Sequence, residues 1–305
     1  MTPDALRTRL QRLTGWDPRP AAAVSRKDAA PEAGHPVETL VLQGPRGPMP
    51  ATLIRPETAG PLPAVLYCHA HGGDYRLGRR EMMEGSRFLH TPGYGIALAN
   101  AGFAALCVDM TGFGDRRDEG DENDMAKALF WRGESLFGHM LNDLGAAFGY
   151  LAARPDVDAA RIFTLGLSMG AAHAYWLAAL EPRVAGCAHL CMLADIGPMI
   201  DAGAHARHGF YLSVPGLLPL AETGDIAGLI APRPQFACHG GTDHLTPPVA
   251  RDAALARLRA AYAGHDDRLT CAIDPAAGHG ETAPMRVAVL DFLAQAAARG
   301  HQDFG

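Results

Sequence analysis

This sequence has no basic stripe, no CxxC pair and no long uninterrupted apolar run. Each absence removes a class of function. With 27 basic against 33 acidic residues and a net charge of -6, the chain offers no clustered Lys and Arg to neutralise phosphates. Nucleic acid is therefore not expected as its principal partner. The six cysteines (Cys68, Cys107, Cys187, Cys191, Cys238 and Cys271) stand mostly inside apolar runs such as AALCVDM and PQFACHG. They read as small buried hydrophobes, and a disulfide framework is not expected. No stretch reaches the roughly 18 apolar residues of a membrane span, and MTPDALRTRLQRLTG lacks the apolar core of a signal peptide. A soluble, cytoplasmic protein without a membrane partner is the expectation. A homodimer is left open.

What remains is an ordinary globular composition, 48% hydrophobic and 20% charged over 305 residues. A chain of that length buries roughly three quarters of its unfolded surface. Residues 1–36 read as a short helix (4–14) and a loose Pro- and Ala-rich segment. The pair VETLVLQG and PMPATLIRP reads as a hairpin turning at GPRGP. From there strands and helices alternate to about residue 300: PAVLYCH, FAALCVDM, RIFTLGLS, VAGCAHLCM, PQFACHG and RLTCAIDP are strands. A helical stretch from Asp124 to Ala153 breaks near Gly133. Strands this continuously apolar have both faces covered, and strand–helix alternation implies right-handed crossovers. The fold class is α/β: a mostly parallel sheet with helices on both faces over residues 37–300. An irregular cap at about 192–224 precedes the strand PQFACHG. The acidic run DRRDEGDEND, 115–124, reads as a solvated loop.

In open parallel sheets chemistry gathers beyond the carboxyl ends of the strands. After RIFTL comes Gly166-Leu167-Ser168-Met169-Gly170, and a helix follows, the context a GxSxG nucleophile elbow requires. After the last strand, His279 lies between glycines and is the candidate general base, although single histidines are commonly structural and the chain has 14. Between them in sequence, Asp243 follows PQFACHG and is the candidate orienting acid, with Asp195 its rival; Asp109 reads as a structural partner in its own loop.

The stretch LYCHAHGGDY invites a metal reading through His69, His71 and Asp74. Its spacing fails the HxHxDH pattern, because Asp74 comes three residues after His71 and Tyr75 follows. A strand ending in His-x-His-Gly-Gly also lies where an oxyanion donor belongs. The backbone N–H of His71, with Ala70 as the alternative, is expected to act with that of Met169, while His69 anchors the loop. Tyr75, Trp131, His208 and Tyr211 are candidate substrate-binding residues. His205 and His208, three apart, could share a helical face or bind a metal, but read first as surface or core histidines. Arg79, Arg80 and Arg207 could meet a carboxylate on the substrate or form surface ion pairs.

Over residues 37–300 the chain resembles the α/β-hydrolases, and among them the dienelactone-hydrolase-like and acetyl-xylan-esterase-like group. The resemblance rests on HAHGG (69–73), GLSMG (166–170), DIAGLIAPRPQFACHGGTDHLTPP (225–248) and GHG (278–280). It implies an eight-stranded sheet, a Ser-His-Asp triad and no cofactor. Two departures stand out: dienelactone hydrolases proper use a cysteine where Ser168 stands, and their usual His-Gly pair reads His69-Ala70. The expected function is hydrolysis of a small or medium carboxylic ester. An amidase, a lactonase, a C–C bond hydrolase and a non-catalytic scaffold are the alternatives, with a metal-dependent hydrolase weakest.

Overall fold

Apolar runs covered on both faces build the centre of the molecule. The computed structural model describes residues 1–299, so the expected domain end at 300 lies just outside the described residues. One sheet holds nine strands: β1 (Ala22–Glu32), β2 (His35–Gly44), β3 (Gly47–Ile54), β4 (Leu62–Cys68), β5 (Ala104–Val108), β6 (Val157–Leu167), β7 (Gly186–Leu190), β8 (Gln235–Gly240) and β9 (Leu269–Asp274). Their order is β1-β2-β3-β5-β4-β6-β7-β8-β9. From β5 across to β9 every neighbour is parallel, and β1, β2 and β3 are added antiparallel at one edge. The expected count of eight is thus short by one. Residues 22–32, read as loose chain, form β1. All eleven of its residues are exposed, so nothing in its side-chain pattern marks a strand; the ladder to β2 holds it, with Arg26 paired to the buried Glu38 at 2.9 Å.

Among the described residues ten helices connect and cover the strands: α1 (Pro3–Leu13), α2 (Glu81–Glu84), α3 (Tyr94–Asn100), α4 (Glu122–Trp131), α5 (Leu136–Ala152), α6 (Met169–Leu180), α7 (Ile196–Asp201), α8 (Thr223–Gly228), α9 (Pro248–Ala261) and α10 (Ala283–Arg299). Alternation along a strand sends neighbouring side chains to opposite faces. In β4, Ala64, Leu66 and Cys68 enter the core under α1, α5, α6, α8 and α9, while Val65 and Tyr67 enter the core under α3 and α10. The helical stretch 124–153 does break near Gly133. That residue has φ +76°, and Ser135 restarts the helix by accepting the Gly138 N–H at 3.1 Å. The 192–224 segment carries α7 and two short helical turns (204–207 and 210–212) before α8. Among the described residues no helix is long and apolar enough to cross a membrane.

Candidate active site

Strand β6 ends at Leu167 and α6 begins at Met169, which leaves Ser168 as the hinge. Its φ of 58° and ψ of -120° are far from the wells an L-residue prefers. A residue held there needs support, and Ser168 N–H donates to Leu190 O at 2.9 Å. The flanking glycines are required by close approach. A Cβ on Gly166 would stand 2.7 Å from the Cys68 carbonyl oxygen, and one on Gly170 would run into that same oxygen. A Cβ on Gly166 would also run into the Gly170 carbonyl oxygen, so the end of β4 and the start of α6 together leave room only for glycine on either side of the serine.

Ser168 Oγ is 2.8 Å from His279 Nε2, and His279 Nδ1 is 2.8 Å from Asp243 Oδ2. Asp243 is buried and also accepts from Leu245 N–H (2.9 Å) and the Thr246 hydroxyl (2.9 Å). Burial opposes its ionisation, but the hydrogen bonds from His279, Leu245 and Thr246 outweigh it and hold the carboxyl below its ordinary value. A carboxylate facing Nδ1 assigns the ring proton there and leaves Nε2 to accept from the serine. Asp195, the rival acid, is occupied elsewhere: it accepts from Gly224 N–H (2.9 Å) and pairs with Arg257 (2.9 Å). Asp109 takes the N–H of Asp115 in its own loop (3.0 Å) and that of Arg79 in the loop after β4 (2.7 Å), so its role is structural and joins the two loops.

The loop after β4 is held at three successive residues. His69 is buried, accepts the Met110 N–H on Nε2 (3.1 Å) and faces Ala70 O with Nδ1 (3.0 Å). Burial pushes its pKa down, so the ring is a neutral anchor. Ala70 N–H donates to the buried Glu81 carboxylate at 2.7 Å, which removes Ala70 as the alternative donor. Among the described residues the backbone N–H groups of His71 and Met169 have no acceptor. The His71 ring accepts Gly73 N–H on Nδ1 (3.1 Å) and faces Glu122 with Nε2 (2.8 Å). The two histidines of the HAH stretch thus point to different partners. Among the described residues no three His, Cys, Asp or Glu side chains are grouped to hold a metal.

A cavity of about 290 Å³ opens over Ser168 and His279 and is lined in part by His71, Phe88, His208 and Tyr211. A second, of about 390 Å³, adjoins it across Ala70–Gly73, Arg87 and Phe88. A larger cavity, about 800 Å³, lies at the opposite ends of the strands beside Phe163 and Arg233 and does not reach the serine. Of the residues expected to bind substrate, His208 and Tyr211 line the first cavity and Tyr75 and Trp131 do not. Trp131 is 88% exposed. The face of α4 that is buried carries Glu122, Ala126 and Leu129, and Trp131, nine residues on from Glu122, lies about 180° around the helix. Tyr75 stacks on Phe113 (4.9 Å between ring centres) and donates to Glu122 (2.9 Å), bracing the loop from behind. Arg79 pairs with Asp109 and Asp115, Arg80 binds the Arg76 carbonyl, and Arg207 lines the first cavity. His205 is exposed, while His208 is held to Leu245 O at 2.9 Å, so the two do not converge.

Two carboxylates escaped the sequence reading, Glu81 and Glu122. Glu122 belongs to the acidic run taken as a solvated loop, yet it is 5% exposed, and Arg116 in the same run is also buried. The apolar spacing of Ala126 and Leu129 from Glu122, at i+4 and i+7, was the available signal.

Residues 49–190 match the model of the dienelactone hydrolase family. YtaP of Bacillus subtilis (strain 168), a protein assigned to the hydrolases, is 39% identical over 261 residues, spanning 84% of this chain and 87% of YtaP. Acetyl xylan esterase 1 from Thermoanaerobacterium sp. JW/SL YS485 superposes with a TM-score of 0.67 at 19% identity, over 96% of this chain and 93% of its own. An acetyl xylan esterase from Paenibacillus sp. R4 gives 0.68 at 18%, over the same shares of 96% and 93%. At such identities the two esterases speak for the fold alone. The family model lies across β3 to β7 and includes the elbow, and YtaP extends the likeness over most of the chain: it belongs to the dienelactone hydrolase family and is a hydrolase of the α/β-hydrolase fold.

Proposed function

We propose that the chain is a serine hydrolase of carboxylic esters. The observation that carries this reading is the unbroken path from Ser168 through His279 to Asp243, with both hydrogen bonds at 2.8 Å. His279 takes the serine proton on Nε2 as Oγ attacks the ester carbonyl carbon, and Asp243 keeps the imidazole in the tautomer that can do so. The developing oxyanion meets the two unoccupied N–H groups, those of His71 and Met169; each such donor is worth about 100–1,000-fold in rate. His279 then returns the proton to the departing alkoxide. A water deprotonated by the same nitrogen hydrolyses the acyl-enzyme and restores Ser168.

A cavity of about 290 Å³ over the serine suits a small or medium ester, and the structural neighbours that are acetyl xylan esterases agree in reaction class. The test is a fluorophosphonate probe with the adduct mapped by peptide mass spectrometry. Labelling at Ser168 that disappears in His279→Ala and persists in EDTA is expected. A folded protein that fails to label would overturn the reading. Parallel rates on p-nitrophenyl esters, amides, lactones and β-diketones then separate esterase from amidase, lactonase and C–C bond hydrolase.

A further inference from the structure

We propose that Glu122 is a positioning residue that ties the cap to the proposed oxyanion donor, so that seating the cap and aligning the His71 N–H are one event. The proposal rests on the ester-hydrolase reading. Glu122 opens α4, far in sequence from every residue of the Ser168–His279–Asp243 path, and its two oxygens face two different parts of the site. Oε1 accepts the backbone N–H of Tyr211, in the cap, at 3.0 Å. Oε2 accepts from His71 Nε2 at 2.8 Å and from the Tyr75 hydroxyl at 2.9 Å. Among the described residues no other hydrogen bond joins the 192–224 segment to the loop 69–75.

Burial opposes ionisation of this carboxyl, but the bonds from His71, Tyr211 and Tyr75 together hold it below its ordinary value, so it acts as a carboxylate. Such a group is costly to bury unless each oxygen is satisfied. Lifting Tyr211 away strands Oε1, and turning His71 away strands Oε2, so each contact favours the other. The His71 ring has little freedom besides. Gly73 N–H occupies Nδ1, which places the remaining proton on Nε2 toward Glu122, and Phe113, Tyr75 and Tyr211 stand 5.2, 4.8 and 5.6 Å from it. With Ala70 N–H pinned by Glu81, the peptide that presents the His71 N–H is fixed from both ends. The cap approaches through Gly209, where a Cβ would strike Glu122 Oε1.

The experiment compares wild type with Glu122→Gln, Gly209→Ala, His71→Ala and the double variant Glu122→Gln/His71→Ala. Glutamine cannot accept from both sides. Gly209 has φ -69° and ψ 161°, which alanine adopts freely, so that variant acts by displacing the carboxylate. Each is assayed on a p-nitrophenyl ester, with active sites titrated by fluorophosphonate, and with an alkylboronic acid as a tetrahedral analogue. Expected for Glu122→Gln and Gly209→Ala is a fall in kcat per titrated site of about tenfold or more, KM within about threefold, and boronate affinity weakened by the factor lost in kcat. The double variant should be no slower than His71→Ala alone. Unchanged boronate affinity in both single variants, a loss confined to the fraction of titratable sites, or additive effects in the double variant would overturn the proposal. Wild-type protein that neither labels at Ser168 nor binds boronate would instead remove the ester-hydrolase reading itself.

Discussion

Ser168 occupies a backbone conformation that costs an L-residue about 1–3 kcal/mol, and the same strain lifts its hydroxyl toward His279. Stability and activity therefore oppose each other at this position. Ser168→Gly should raise the unfolding free energy by about 1 kcal/mol in urea titrations while ester hydrolysis falls by about 10⁶-fold; a destabilised variant would mean that the φ of 58° is not strained. Asp243 gives a second residue-scale prediction. Replacing it by Asn presents an amide to Nδ1 and favours the wrong imidazole tautomer, so kcat should fall by about 10⁴-fold with the elbow intact. The sign of its pH dependence follows from a folded-state pKa below the ordinary one. The stabilisation is complete above the unfolded value of about 3.9 and is lost as pH falls toward the folded value. The Tm gap between wild type and Asp243→Asn should accordingly narrow between about pH 6 and about pH 3. A gap that widens on acidification would contradict the hydrogen-bonded carboxylate.

Whether a strand announces itself in sequence depends on whether its side chains pack. Strands β4, β5, β7 and β8 and the second half of β6 are buried on both faces and read directly as apolar runs, so the turns after β6 and β8 located Ser168 and Asp243; β9 is partly exposed, and its place in the strand–helix alternation located His279. Strand β1 buries none of its side chains, and its Ala-rich, charged sequence carries no apolar period. The same reasoning explains the site residues that were missed or misplaced. Glu122 owes its burial to the face α4 presents and to contacts with residues 71, 75 and 211, and Trp131 owes its exposure to the opposite face of that helix. An aromatic near the site in sequence is no guide to which side of a helix it takes. An edge strand held by one ladder should also open most easily. Amide hydrogen exchange is expected to be faster at residues 22–32 than in β4 or β6 by about a hundredfold or more, and equal protection in β1 would show that something beyond β2 covers its outer edge.

The molecule is acidic overall, at -6, yet among the described residues no Asp or Glu side chain lines the cavity over Ser168, while Arg87 and Arg207 do. Neither guanidinium has a carboxylate partner among the described residues: Arg207 donates to His244 O at 2.6 Å, and Arg87 lies 4.6 Å from the centre of the Phe88 ring. A negative surface with a positive mouth directs anionic molecules to that mouth, because field lines concentrate in a cleft with apolar walls. Both arginines are exposed, so the attraction is screened by salt. Of two esters matched in acyl group and leaving-group pKa, the one bearing an extra carboxylate should therefore have the higher kcat/KM at low ionic strength, by about tenfold. Raising salt to about 0.5 M should erase most of that advantage and leave the neutral ester unaffected. Arg87→Gln/Arg207→Gln should remove the same preference, chiefly through KM, since charges at a mouth act on encounter and binding rather than on the reacting carbonyl. A preference that survives the double substitution would place the anion's partner elsewhere, and equal rates for the two esters would show that the guanidiniums act only on the backbone and ring contacts they already make.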